Sequence, residues 1–169
     1  MKTTFSALLL GVLSLAACGG DDSGSSAPAA DASQSWTPVS SLNVQSRFND
    51  IVFPDELEGW AVGTGGSILH STDGGTTWTT QVSGTSERLY GISFTDNSRG
   101  WTVGMGGTIL TTADAGATWT PQSSGSVEVL YDVVFADALH GWVAGANGTL
   151  LGTVDGGLTW SALPSGTGS

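Results

Sequence analysis

Three aspartates, Asp73, Asp114 and Asp155, recur at intervals of 41 residues. Each is followed two positions later by glycine (Gly75, Gly116, Gly157) and five positions later by tryptophan (Trp78, Trp119, Trp160). Carboxylates can bind calcium or act as general acids. Repetition argues against both uses, because an active site needs its acid once and not once per copy. A local role fits the whole pattern. The carboxylate accepts hydrogen bonds from turn amides, the glycine permits a backbone that other residues resist, and the tryptophan covers the turn with apolar area.

Other residues able to do chemistry break the repeat. The cations beyond residue 2 are Arg47, Arg88 and Arg99, and the tyrosines are Tyr90 and Tyr131. Shifts of 41 place Arg47 with Arg88 and Val129, and Asn49 with Tyr90 and Tyr131. Glu87 and Glu128 share one column, and Thr64, Met105 and Ala146 another. Arg47, Arg88, Tyr90 and Tyr131 are therefore candidates for partner binding; the alternative is that the arginines are surface residues paired with Glu87 or Glu128. Glu58, Arg99 and His140 form a different column, whose mixed chemistry reads as a tolerant solvent position. His70 aligns with Thr111 and Gly152, and neither histidine has the company a metal site needs. No metal and no cofactor are expected.

The elements that must position these residues follow from the same period. Trp60, Trp101 and Trp142 are 41 apart, as are Trp78, Trp119 and Trp160, and Trp36 lies 42 before Trp78. Ile51-Val52-Phe53, Ile92-Ser93-Phe94 and Val133-Val134-Phe135 align, and so do Ile68-Leu69, Ile109-Leu110 and Leu150-Leu151. In the middle copy the pattern predicts strands over Leu89–Phe94, Trp101–Gly104, Thr108–Thr112 and Trp119–Ser123, with turns between them. The pairs Gly65-Gly66, Gly106-Gly107 and Asn147-Gly148 suit two-residue hairpins with positive φ at both positions, so Asn147 reads as a backbone choice. Four short strands in about 40 residues, repeated, predict an all-β, β-propeller-type array. It has three four-stranded antiparallel blades at about 47–83, 88–124 and 129–165, plus one extra N-terminal strand at 36–40. Such blades bury their apolar faces only against neighbours.

Ser71-Thr72-Asp73-Gly74-Gly75-Thr76-Thr77-Trp78 resembles the Asp-box, Ser-x-Asp-x-Gly-x-Thr-Trp, at every fixed position. The copies at 112–119 and 153–160 depart only by Thr112 and Thr153 in place of serine. The fuller pattern, a first strand ending in Phe, then Gly-Trp-x-Val-Gly, Gly-Gly, Thr-Ile-Leu and an Asp-box, is similar to the photosystem II stability and assembly factors and their bacterial relatives. The resemblance covers residues 36–165. It implies a propeller scaffold that binds partner proteins with arginines on its binding surface, and it does not imply photosynthesis. Arg47 and Arg88 match that expectation, whereas Val129 departs from it. Sialidases also carry Asp-boxes, but no sialidase motif surrounds Arg47, Arg88, Arg99, Tyr90 or Glu128 here. A lectin-like glycan-binding module is a further alternative, though most tryptophans are committed to the blades.

The N-terminus is a targeting segment, read as a lipoprotein signal peptide over residues 1–17. Leu15-Ala16-Ala17-Cys18 resembles a bacterial lipobox, in which the cysteine becomes the lipidated N-terminus. An ordinary secretory signal is the alternative. Cys18 is the sole cysteine, so lipidation leaves none for a disulfide or a metal. Residues 18–35, rich in Gly, Ser, Ala and Asp, read as a flexible tether. Gly19 after the cysteine favours the outer membrane over the inner by resemblance to enterobacterial lipoproteins.

Net charge is −11, with fifteen carboxylates against four Lys and Arg. Such a surface repels phosphate backbones and excludes nucleic acid as a partner. The chain reads as a non-catalytic, lipid-anchored module for a protein partner in the cell envelope. Three blades do not readily close a ring, since propellers typically have 4–8. A homo-oligomer is expected, for example two chains completing six blades.

Overall fold

In the computed structural model, residues 47–166 are described. The segments 1–17, 18–35 with Cys18, and 36–40 lie outside the described residues.

Twelve strands form three separate antiparallel sheets among the described residues. The first blade contains β1 (Phe48–Val52), β2 (Gly59–Gly63), β3 (Ile68–Ser71) and β4 (Thr79–Gln81). The second contains β5 (Leu89–Phe94), β6 (Gly100–Gly104), β7 (Thr108–Thr112) and β8 (Thr120–Ser123). The third contains β9 (Leu130–Phe135), β10 (Gly141–Gly145), β11 (Leu150–Thr153) and β12 (Ser161–Ala162). Each blade is a meander in chain order, and its first strand neighbours the first strand of the next blade.

The fourth strand of the middle blade begins one residue later than its sequence pattern, at Thr120. Trp119 is withdrawn from the ladder and set edge-on against Phe94, with ring centroids 6.1 Å apart. The hairpins behave as their residues require. Thr64 O accepts from Ser67 N, and the two residues between them, Gly65 and Gly66, have φ of +66° and +70°. Asn147 takes the same left-handed conformation at φ +52°.

Among the described residues two apolar cores lie between blades and none within a single blade, which is the propeller arrangement. Trp60, Val62 and Ile68 of the first blade pack with Leu89, Ile92, Phe94 and Trp119 of the second. Trp101, Val103 and Ile109 of the second pack with Leu130, Val133, Phe135 and Trp160 of the third. In each seam the tryptophan of a second strand stacks on the phenylalanine of the next blade: Trp60 on Phe94 at 3.9 Å, Trp101 on Phe135 at 3.5 Å. Burial tracks this sandwiching. β2 and β6 are buried along their whole length, while β10, with no blade beyond it among the described residues, alternates buried and exposed.

Candidate functional site

Each Asp-box closes a turn on itself. The Asp73 carboxylate accepts from the Thr77 amide at 2.8 Å, the Thr77 hydroxyl at 2.6 Å and the Ser71 hydroxyl at 2.9 Å. Asp114 repeats this with Thr118 and Thr112, and Asp155 with Thr159 and Thr153. Donation by the Thr159 hydroxyl and amide holds Asp155 down to about 2, and the same bonds lower Asp73 and Asp114. Three carboxylates kept ionised in three separate turns share no pocket. Among the described residues no cluster of His, Cys, Asp and Glu could hold a metal. Gly75, Gly116 and Gly157 all have positive φ, from +81° to +86°.

A second recurrent aspartate carries signal that the sequence reading passed over. Asp55, Asp96 and Asp137 are also 41 apart, and each caps the loop from first to second strand. The Asp-box turn then docks on that loop: Gly74 N donates to Leu57 O, Ala115 N to Ser98 O, and Gly156 N to Leu139 O, each at 2.9 Å. This end of each blade is thereby a braced scaffold. Arg99 and His140 sit on it, His140 against Asp137 at 2.9 Å. Glu58 leaves the solvent role expected of its column: it meets His70 Nε2 at 2.6 Å, and the His70 ring stacks on Trp60 at 4.4 Å.

The repeat-breaking candidates occupy the other end. Thr64 N donates to Arg47 O at 2.9 Å, Met105 N to Arg88 O at 2.9 Å, and Ala146 N to Val129 O at 2.7 Å. The start of every first strand is thus tied to the turn between second and third strands, and both belong to one face. The device that aims side chains there is a bulge. Pairing of β5 with β6 skips between Leu89 and Gly91, so Tyr90 is the extra residue. β9 skips at Tyr131 against β10, and β1 skips at Asn49 against β2. An extra residue leaves the ladder, and its side chain is redirected, as bulges near functional sites commonly do.

Three of the four candidates gather as a result. Tyr90 and Tyr131 meet edge-to-face, with centroids 5.6 Å apart and planes at 72°. The Arg88 guanidinium lies over Tyr90, 5.8 Å from its centroid. Arg47 shares the face through its backbone but does not join this group. Asn49, at the tyrosine position of the first blade, instead donates to Leu89 O of the second blade at 2.6 Å. The expected alternative, arginines paired with Glu87 or Glu128, is not found among the described residues; Glu128 accepts from Asn147 Nδ2 at 2.8 Å. Arg88 and Arg99 lie at opposite ends of β5, so the arginines do not converge as sialidase chemistry requires.

Comparison with known proteins matches this geometry to one family. The sequence profile described as "Photosynthesis system II assembly factor YCF48" matches residues 28–121 and 123–165. A photosystem II assembly lipoprotein, Ycf48 of Picosynechococcus sp., is 44% identical over 48 residues, which are 28% of this chain and 14% of that protein. Among solved structures, YCF48 bound to D1 peptide superposes with a TM-score of 0.65 at 26% identity, over 72% of this chain and 41% of that one. YCF48 from Cyanidioschyzon merolae gives 0.63 at 28%, over 72% and 38%. An ancestral GH74 enzyme, at 16% identity and a TM-score of 0.56, shares the fold alone. The chain spans well under half the length of these relatives. With the profile running through all three blades, the chain belongs to the photosynthesis system II assembly factor YCF48 family.

Proposed function

We propose that this chain is a non-catalytic, lipid-anchored propeller module that binds a protein partner in the cell envelope and serves its assembly. The observation that carries the reading is the cluster of Arg88, Tyr90 and Tyr131 on one face. Two phenol rings offer apolar area and hydroxyl groups at low entropic cost, and a guanidinium offers a fixed cation, the residue types that dominate protein recognition. A family member is solved with a bound peptide, and another is named a lipoprotein, which supports both halves of the proposal. Anchoring is assigned to Cys18 after removal of residues 1–17, with residues 18–35 as tether and the outer membrane as the favoured site. Self-association that completes the ring belongs to the same reading. A glycan-binding role has weaker support, because Trp60, Trp101 and Trp119 are buried between blades and unavailable to sugars.

The test is capture of envelope proteins by the detergent-solubilised full chain, beside the same chain carrying Arg88→Ala and Tyr131→Ala. Wild type is expected to retain a protein that the double variant binds about tenfold or more weakly. Equal retention by both, with intrinsic fluorescence unchanged, refutes the assignment of this face. Mass spectrometry of the exported chain is expected to show an acyl-glycerol adduct that Cys18→Ser abolishes.

A further inference from the structure

Among the described residues Asn147 is the asparagine that precedes a glycine; Asn49 precedes Asp50 and Asn97 precedes Ser98. An Asn-Gly pair is the sequence most prone to deamidation, because glycine has no Cβ to screen its backbone nitrogen from the asparagine side chain. Asn147 and Gly148 are both exposed. That openness belongs to the turn and not to the third blade alone. A Cβ at Gly65 or Gly106, the equivalent positions of the first two blades, meets nothing within 4 Å. Solvent therefore reaches this position even where another blade follows.

The reaction needs only water. The Gly148 nitrogen gives up its proton and bonds to Asn147 Cγ, the Cγ–Nδ2 bond breaks, and Nδ2 leaves as ammonia. Water then opens the five-membered imide at one carbonyl or the other, giving aspartate or isoaspartate. The net change converts an amide and a water into a carboxylate and an ammonium ion, with nothing oxidised or reduced.

Two features of the structure hold this reaction back. The turn fixes Asn147 at φ +52° and ψ +35°, which sets the Gly148 nitrogen on the far side of the Cα–C bond from Cβ, out of reach of Cγ. Closing the imide ring requires the turn to open and the 2.9 Å bond from Thr149 N to Ala146 O to break. Glu128 is the second feature. Its Oε2 accepts from Asn147 Nδ2 at 2.8 Å, so the amide nitrogen is engaged as a donor when leaving requires it to gain a proton. The same carboxylate opposes negative charge building on the attacking nitrogen and on the carbonyl oxygen. Glu128 is itself fixed through its backbone: its amide donates to Ser126 Oγ at 3.1 Å, and its carbonyl accepts from Gly107 N at 2.8 Å. One repeat earlier Glu87 is matched with Gly106, which has no amide to hold.

We propose that Asn147 is a modification site, an asparagine that deamidates and whose conversion Glu128 restrains. Conversion is irreversible and replaces the bond between turn and loop with two facing carboxylates. It takes place on the face that carries Arg88, Tyr90 and Tyr131, and adds negative charge there. The assignment does not depend on what that face binds.

The full chain in detergent is held in mildly alkaline buffer beside a synthetic peptide of residues 145–150, and peptide-mapping mass spectrometry follows Asn49, Asn97 and Asn147. Asn147 is expected to convert ahead of the other two, and about tenfold or more slowly than in the peptide. Glu128→Ala is expected to speed conversion about tenfold. Glu128→Gln, which keeps an acceptor within reach but removes the charge, speeds it less. Asn147→Asp reproduces the product and is expected to lower the urea midpoint by about 0.5 M at about pH 7. That loss disappears near about pH 4, where the two carboxylates share a proton. Asn97 converting ahead of Asn147, a folded chain converting as fast as the peptide, or a Glu128→Ala chain no faster than wild type overturns the proposal. An Asn147→Asp midpoint equal to that of wild type at both pH values overturns the facing carboxylates as its consequence.

Discussion

Gly106 and Gly107 are adjacent, share one turn and both have positive φ, +62° and +74°, yet alanine should affect them very differently. A Cβ at Gly106 meets nothing within 4 Å. The cost of Gly106→Ala is then the left-handed backbone alone, about 1–2 kcal/mol. A Cβ at Gly107 would instead fall inside the van der Waals envelope of the Ser126 carbonyl oxygen and close on the Ser124 hydroxyl. Both groups lie on the loop leading into the third blade, and that loop is tied back by Gly107 N donating to Glu128 O at 2.8 Å. Relief requires the loop to move, adding overpacking strain of about 1–3 kcal/mol and the lost hydrogen bond, about 0.5–1.5 kcal/mol. Gly107→Ala should therefore destabilise by about 2–4 kcal/mol more than Gly106→Ala. Equilibrium urea unfolding of the full chain, followed by tryptophan fluorescence, reads this directly. With a slope of about 2 kcal/mol per molar urea, the two midpoints should differ by about 1–2 M. Midpoints within about 0.3 M of each other would refute the claim that close approach between blades, and not turn conformation, is what reserves this position for glycine.

Four further outcomes concern the seams and turns. Gln81→Leu removes the acceptor of the buried Trp119 indole and should cost about 1–3 kcal/mol in the same assay. Gln122→Leu should cost less, because its bond to Gly156 O is long at 3.4 Å and neither its Oε1 nor Trp160 Nε1 has a partner among the described residues. Trp101→Ala empties the stack on Phe135 and removes the shorter of the two bonds to Gly156 O, for a loss of about 3–5 kcal/mol measured by denaturant midpoint. The Asp-box carboxylates have folded values below the ordinary 3.8, so their contribution is complete above about pH 4 and is lost as pH falls toward 2, where Asp155 titrates. Stability measured between about pH 5 and about pH 2 should fall less steeply in a chain carrying Asn at 73, 114 and 155, and an unchanged slope would remove these turns from the acid response.

The blades owe their stability to each other. Among the described residues no single sheet contains a core, and the indole and glutamine bonds that accompany the two apolar seams all cross from one blade to the next. A perturbation in a seam is consequently felt by two blades, whereas one in an Asp-box turn is felt first by its own. This difference makes the seam variants the sharper probes of the array and the turn variants the sharper probes of pH.

Much of this was legible in the chain because a repeat writes its constraints several times. The period of 41, the paired residues of each hairpin and the Asp-Gly-Trp spacing determine three meanders of four strands, since each is a local rule of backbone conformation or alternation. That Arg47, Arg88, Tyr90 and Tyr131 break the repeat was equally visible. Their arrangement was not, because whether a side chain leaves the ladder depends on the register between two strands, which no single strand encodes. Only the tertiary structure decided that bulges at Asn49, Tyr90 and Tyr131 redirect these residues, that Arg88 joins the tyrosines and Arg47 does not, and that Glu58 turns to His70. Gln81 and Gln122, like the bracing Asp55, Asp96 and Asp137, are 41 residues apart, but their meaning lies in bonds to a neighbouring blade or to the backbone of their own loop. Local patterns fix what each segment is; contact between segments far apart in the chain fixes what each side chain is for.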